Sequence, residues 1–437
     1  MKKGYPVLNE PIFFAKMNTS AGLYIKIHDT TTRKDYTVNP ATTAFLELCT
    51  GTHSLADIAQ MLSEQESEPI QDVVKGVEEI SETLQKNGLI TVRKTPLNHK
   101  RQQVREVQVL HPPQFAHLEL TNKCNLSCLH CANNSGEPYP DELTTSEILS
   151  LIDTLSLMGI TRIVLTGGEP LLHPELHTII EHARKAPMTV DIFTNCTLIT
   201  QTHINLFKRL GVRKIATSID SSDESVHDAF RGKKGAFKKT LRGIKLLQEA
   251  GFPIRISISA ASINKNHIVN LIMYLRTLNL TDYQIVPVKL SGRGICEVVV
   301  SPEEYYHVLR DEFTYRKENC PDNLPDPPQP REGGCGIGVD EIYIKADGTI
   351  LPCHGCHKDM NVGSVRDTDL IALWNHGTPL ELLRTMKPEH DCICKTCQYL
   401  SFCGGCVAGA FIYEKTLRCY DPYTCASFKA YHDVFGI

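Results

Sequence analysis

The spacing of hydrophobic and polar positions changes along the chain and divides it into three parts. Up to about residue 95, YIKIHD and KDYTVN alternate apolar and polar residues around the turn TTTR, which predicts two short strands. Three helical patterns follow. PATTAFLELCTG is the first, and SLADIAQMLSEQ opens on Ser54, a candidate N-cap. The third, IQDVVKGVEEISETLQKNGLI, sets Val73, Val74, Val77, Ile80 and Leu84 on one face and stops at Gly88. GLITV reads as a closing strand, and the polar stretch that includes KTPLNHKRQQVRE reads as a linker over 96–114.

From 115 to 319 the pattern alternates between strand and helix. FAHLELT, RIVLT, TVDIFT, KIATSI, RISIS and YQIVPV are short apolar, β-branched runs separated by amphipathic helical stretches. One of these, TTSEILSLIDTLSLMGI, is capped by Thr144 or Thr145. Six βα units predict a parallel α/β sheet, either an open barrel or a doubly wound sheet. TNKC, TGGEP and TNC follow the first three strands, at the carboxyl ends where parallel α/β proteins build their sites. A proline-rich connector, 320–334, leads into a cysteine-rich segment, 335–437.

At 437 residues the chain is expected to hold two or three domains. Its 41% hydrophobic and 22% charged residues are those of a soluble globular protein. A net charge of −4 gives no electrostatic reason to expect nucleic acid as a partner. MKKGYPVLNEPIFF lacks the apolar core of a signal peptide, and no run of about 18 apolar residues suits a membrane span. A cytoplasmic location away from membranes is the expectation. Seventeen cysteines change the picture: one precedes residue 124, and ten lie from Cys335 onward. In a large chain without a secretory signal, clustered thiols read as metal ligands rather than as a disulfide framework.

The first cluster is TNKCNLSCLHC, in which Cys124, Cys128 and Cys131 stand as CxxxCxxC. Three thiolates this close converge on one soft metal centre. A zinc ion would require a fourth ligand, for which His130 is a candidate; a [4Fe–4S] cluster would keep one iron open to a small molecule. TGGEPLLHPEL, after the next strand, favours the cluster, because Gly167 and Gly168 allow close backbone approach and Glu169 falls beside the first loop. GGCGIG at 333–338 imitates a dinucleotide fingerprint, but it follows a proline-rich connector rather than a strand.

CNLSCLHC followed by LTGGEP resembles the radical S-adenosylmethionine (SAM) enzymes. The resemblance implies a partial (β/α)6 TIM-like barrel in an α/β protein. In that family three cysteines hold a [4Fe–4S] cluster, and the methionine amine and carboxylate of S-adenosylmethionine fill the fourth iron position. It implies that Cys124, Cys128 and Cys131 ligate the cluster and that Gly167, Gly168 and Glu169 lie against the methionyl amine. Asn195, Ser218 and Asp220 fall at positions that line the cofactor pocket, and Arg231 of HDAFRG is a candidate partner for the cofactor carboxylate. A 5′-deoxyadenosyl radical made there must be shielded from solvent.

The second array begins with Cys335, Gly348 and Cys353 and continues through CKTCQYLSFCGGC to Cys419 and Cys425. It resembles the SPASM extension, which typically binds two auxiliary iron–sulfur clusters. The resemblance implies one cluster on Cys335, Cys353 and Cys406, and another on Cys394, Cys397, Cys403 and Cys425, with Cys425 preferred over Cys419. Cys356 either completes the first auxiliary cluster or leaves an iron open. The departure is CGGC, where the family has three residues between its cysteines. Two zinc-ribbon-like sites are the competing reading. Cys49, Cys196, Cys296 and Cys320 fall outside both patterns, and Trp374 reads as a helix anchor.

The N-terminal segment resembles the winged-helix-like recognition domain of ribosomal peptide maturases, which binds a precursor's leader by strand addition. KDYTV is the matching edge strand. A DNA-binding winged helix would require more Arg and Lys on its recognition helix, and dimerisation is a third use. Together the three parts look most like sactipeptide maturases. That resemblance implies a precursor peptide as substrate, an electron donor such as flavodoxin or ferredoxin, and thioether formation between a cysteine sulfur and an α-carbon. Carbon–carbon crosslinking by the same architecture and a non-catalytic metal-binding regulator are the alternatives.

Overall fold

TNKC, TGGEP and TNC leave the same end of one run of parallel strands, and the strand order explains why. The computed structural model describes residues 4–8, 12–19, 22–29, 34–97, 104–107, 109, 112–186, 188–330 and 334–436. It divides into two compact units, Met1–Pro112 with Thr154–Thr161 and Pro113–Asp153 with Arg162–Ile437.

The first unit contains strands β1 (Tyr5–Leu8), β2 (Ile12–Thr19), β3 (Gly22–Asp29) and β4 (Lys34–Val38). Helices α1 (Pro40–Leu48), α2 (Leu55–Glu66) and α3 (Ile70–Lys86) follow, then β5 (Ile90–Arg93) and β6 (Val104–Val107). The expected hairpin is β3–β4, with Ile25 opposite Val38 and Ile27 opposite Tyr36. It forms part of a four-stranded sheet ordered β4-β3-β2-β6, with β4 at an edge. GLITV becomes β5, paired antiparallel with β1. Residues 104–107, in the stretch expected to link, form β6 beside β2, while 98–103 lie outside the described residues.

Helix starts follow local chemistry. Ser54 caps α2 in a reciprocal box: its hydroxyl accepts from the Asp57 N–H at 3.2 Å, and its own N–H donates to the Asp57 carboxylate at 2.8 Å. The α3 face packs through Val77 and Leu84 onto Phe45, Leu46, Ile58 and Ile27, which are fully or almost fully buried.

The second unit opens with β7 (Phe115–Glu119) and α4 (Thr145–Leu157), whose last turn from Thr154 is counted in the first unit, then β8 (Arg162–Thr166), α5 (Leu176–Lys185), β9 (Thr189–Phe193) and α6 (Gln201–Arg209). Next come β10 (Lys214–Ser218), α7 (Glu224–Arg231), α8 (Ala236–Glu249), β11 (Ile254–Ala260), α9 (Ile268–Thr277), β12 (Tyr283–Pro287) and α10 (Pro302–Asn319). The six expected strands pair in parallel in simple sequence order, from β7 to β12. Ala116, Leu118, Ile163, Leu165, Ile192 and Ile256 form the buried face, as alternation along each strand requires. Thr144, rather than Thr145, caps α4 through Glu147.

The cysteine-rich segment supplies β13 (Glu341–Ile344), β14 (Thr349–Leu351), β15 (Gly363–Ser364), α11 (Leu370–His376), α12 (Thr378–Thr385), α13 (Val407–Glu414) and α14 (Pro422–Phe435). Strand β13 pairs in parallel with β7, so one nine-stranded sheet runs from the barrel into this segment. DGTILPC forms the expected β13–β14 hairpin, turning at Gly348 with φ +85°. Trp374 is fully buried in α11, with the Arg384 guanidinium 5.2 Å from its ring centroid. It anchors the helix as expected. No described helix is long and apolar enough to cross a membrane.

Phe45→Ala should destabilise the first unit by about 3–5 kcal/mol. Hydrogen exchange of the α2 and α3 amides should accelerate while fluorescence of Trp374, the sole tryptophan, is unchanged. Unaltered exchange in those helices would remove Phe45 from the core of that unit.

Candidate functional site

The loop after β7 carries Cys124, Cys128 and Cys131, and their thiols cluster with Leu126 and Ala236. Three later strand ends grip it. From β8, the Gly168 N–H donates to the Thr121 carbonyl at 2.7 Å and the Glu169 N–H to the Lys123 carbonyl at 2.9 Å. A Cβ at Gly167 would overlap the Thr121 oxygen, and one at Gly168 the Asn122 and Lys123 oxygens. The glycine pair therefore lets the β8 loop lie directly on the cysteine loop.

From α7, the Phe230 and Arg231 carbonyls accept from Leu129 and Ser127 N–H groups, and Gly232 leaves room for the Ser127 carbonyl. From the turn after β12, Arg293 donates Nε–H to the Cys128 carbonyl at 2.8 Å, and its N–H meets the Cys131 carbonyl. Arg293 and its neighbour Gly292 were missed in the sequence. The signal available was SGRG immediately after the sixth strand, in the same position as the other motifs.

Glu169 is fully buried and braces two strand ends. It accepts from Thr194 Oγ1 at 2.7 Å, Asn195 N–H at 2.8 Å and Leu171 N–H at 3.1 Å. Burial nevertheless pushes its carboxyl up to about 7. Asn195 reaches back to the first loop, donating to Asn125 Oδ1 at 2.9 Å, and Asn125 donates to Thr197. Ser218 ends β10 and is half-buried.

Asp220 is buried and binds Arg231, whose Nε lies 2.7 Å from its Oδ2. Burial opposes its ionisation, but Arg231, His130 and His227 hold the carboxyl below its usual range. Arg231 Nη1 also points at Cys128 Sγ, 3.9 Å away. Arg231 thus already bridges a carboxylate and a cysteine sulfur. His130, the candidate zinc ligand, instead stacks on Phe230 with centroids 4.1 Å apart, and burial drives its pKa down to about 3.

The thiols suit a cluster by two observations. N–H groups donate to the sulfurs of Cys131, Cys353, Cys403 and Cys406 at 3.2–3.3 Å, as thiolate ligands require. Among the described residues no three cysteine sulfurs lie within 4.8 Å of one another. Thiolates sharing one zinc ion would sit about 3.8 Å apart, so no three of these sulfurs are gathered tightly enough to close on a single zinc. Burial raises Cys124 to about 11, and metal loading must remove that proton.

The C-terminal thiols lie close together. Cys335, Cys353, Cys356 and Cys406 pack around Ile337, Met360 and Ala408 in a cluster that also holds Cys394 and Cys419, and Cys353 shares a hydrogen bond with Cys356. Burial first, and then Cys403, Cys394 and Cys397 beside it, push Cys425 up to about 12. Cys419 is buried, and its largest neighbouring thiol charges are Cys335 and then Cys394. The short CGGC spacing has a local cause. A side chain at Gly404 would press on the Cys335 backbone, and one at Gly405 would meet the Cys419 carbonyl at 2.6 Å. Cys49, Cys196 and Cys320 are buried apart from these thiols; Cys296 and Cys392 are exposed.

Fold and motif together define an iron–sulfur and S-adenosylmethionine enzyme. Residues 118–275 match the radical SAM superfamily and residues 335–398 the SPASM iron–sulfur cluster-binding domain. The chain belongs to the radical SAM superfamily. It is 30% identical over 340 residues to the AdoMet-dependent heme synthase of Oleidesulfovibrio alaskensis, spanning 70% of this chain and 86% of that protein. It is 29% identical over 303 residues to the antilisterial bacteriocin subtilosin biosynthesis protein AlbA of Bacillus subtilis, 67% of each chain. The fold matches Streptococcus suis SuiB, solved bound to precursor peptide SuiA, with a TM-score of 0.68 over 96% of this chain and 99% of that one, at 13% identity.

Gly168→Ala should cost roughly 1–3 kcal/mol by forcing the cysteine loop outward. Iron and sulfide content after anaerobic reconstitution should fall by one cluster. Gly76→Ala, with open space around it in α3, should keep full iron content. Full iron in the Gly168 variant would contradict the packing role given to the glycine pair.

Proposed function

We propose that the chain modifies a ribosomally made precursor peptide, joining a cysteine sulfur to an α-carbon. The observation that carries the peptide reading is the edge strand β4. Among the described residues its outer edge has no strand partner, and it borders a sheet packed on three helices. A peptide leader that adds a strand there gains main-chain hydrogen bonds. The similarity to AlbA supports the same reading.

Within the site, Cys124, Cys128 and Cys131 would hold the radical cluster. Arg231 would lie against the Cys128 ligand, and the Gly167–Gly168 turn would bring backbone to the cofactor. Glu169, Asn195, Ser218 and Asp220 would line or brace its pocket. When bound, the reduced cluster and S-adenosylmethionine supply a 5′-deoxyadenosyl radical that removes a substrate hydrogen atom. Cys335, Cys353 and Cys406, with Cys356 alongside, would hold one auxiliary cluster. Cys394, Cys397, Cys403 and Cys425 would hold the other. An electron donor such as flavodoxin or ferredoxin would reduce the radical cluster.

The 30% identity to heme synthases favours a second reading, haem synthesis. One assay separates the two. Anaerobic enzyme, S-adenosylmethionine and reductant are incubated with a cysteine-containing candidate precursor, and the peptide is sequenced by tandem mass spectrometry. Loss of two hydrogen masses per Cys-to-α-carbon link is expected. A haem absorption band from a tetrapyrrole precursor, with the peptide untouched, would overturn the proposal. Carbon–carbon links in the product would retain the peptide and replace the bond.

Removing residues 1 to about 95 should raise KM for the full precursor while sparing peptide-free cofactor cleavage, because strand addition supplies affinity rather than chemistry. An unchanged kcat/KM would refute leader recognition by this segment.

A further inference from the structure

We propose that His117, Glu341 and His354 form a binding site for a divalent transition-metal ion, beside Cys353 but using no cysteine ligand. Parallel pairing of β13 with β7 puts Glu341 opposite Phe115 and so on the same face as His117, two residues further along. The loop after β14 returns His354 to the same point. One ligand atom from each residue lies within 4.8 Å of the other two.

The observation that points to an ion is an imbalance in how the carboxylate is satisfied. Glu341 Oε1 accepts from the His354 N–H at 3.1 Å and lies 2.6 Å from its Nδ1. Oε2 is buried and makes no well-aligned hydrogen bond, with His117 Nε2 standing 3.4 Å away. The Glu341 side chain is 8% exposed, so water does not reach it freely. A buried carboxylate oxygen left this way costs the desolvation of a charged group. A cation among Oε2 and the two imidazoles removes that cost.

The donor set narrows the ion. Two imidazoles and a carboxylate suit Zn²⁺, Fe²⁺ or Mn²⁺ rather than a soft thiophilic centre. Three protein ligands leave a coordination position open, and the 60% exposure of the His354 side chain provides access. The His117 ring is held by Phe115 and Tyr343, with centroids 5.5 and 5.6 Å away. An ion bound here fastens the loop carrying Cys353 to β7 and β13. The site does not depend on which bond the enzyme makes.

Mn²⁺ is the probe, because it disfavours thiolates and the spare cysteines do not compete for it. Reconstituted holoenzyme with oxidised, EPR-silent clusters is titrated with Mn²⁺ and followed by EPR. The expected result is one saturable ion per chain, with nitrogen couplings from two imidazoles and displacement by Zn²⁺. Glu341→Gln and His117→Gln should each weaken binding roughly tenfold or more at unchanged iron content. No saturable ion, an ion without imidazole couplings, or unchanged affinity in Glu341→Gln overturns the site. If a variant does not fold, the nitrogen couplings of the natural protein decide.

Discussion

Everything in the larger unit depends on holding three cysteines of one short loop in place although burial favours their neutral thiols. Cys124 and Cys128 are both raised by desolvation, so the loop alone does not present thiolates to metal. The protein answers with backbone rather than charge. Carbonyls of the cysteine loop receive N–H groups from the ends of β8 and β12, and its own N–H groups donate to the end of α7. Glycines stand where a side chain would block these approaches. Arg231 supplies a cation beside the Cys128 sulfur, with its own charge balanced by buried Asp220.

This arrangement gives the parallel sheet its functional meaning. The ends of β8, β9, β10 and β12 contribute clamps or braces: the glycine pair with Glu169, then Asn195, Asp220 and Arg293. A radical generated at such a loop is surrounded by strand ends, which suits chemistry that must exclude solvent. The cysteine-rich segment joins the same sheet through β13. Cys353 follows β14, which pairs with β13, and β13 lies directly against β7, the strand that ends before the radical loop.

The barrel strands were legible because each is a local apolar, β-branched run ending in a polar motif. The CxxxCxxC spacing and GGEP were legible for a similar reason, since both are compact in sequence. Strands β1, β2 and β6 were not read. YPVL gains its identity from pairing with ITVR more than 80 residues later, and VREV lies in a stretch whose charge masks its register. The β13–β7 pairing is non-local too, with Glu341 opposite Phe115 and Tyr343 opposite His117, 226 residues apart in each case. The site around Glu341 had no local signature, because His117 lies on β7, far in sequence from Glu341 and His354. Arg293 was hidden by its ordinary loop context, whereas Arg231 stood out through HDAFRG.

The account's central claim is that the radical centre and the C-terminal cysteine array are separate sites on one protein. The most direct measurement pairs iron analysis with 5′-deoxyadenosine release in two variants, Cys128→Ala and the double variant Cys394→Ala with Cys397→Ala. Soluble, monodisperse protein is required of both, because metal binding contributes to folding. Each variant should lose the iron of one cluster. Cleavage of S-adenosylmethionine should vanish in Cys128→Ala and persist, uncoupled from product, in the double variant. Wild-type cleavage by Cys128→Ala, or normal crosslinking by the double variant, would contradict the account.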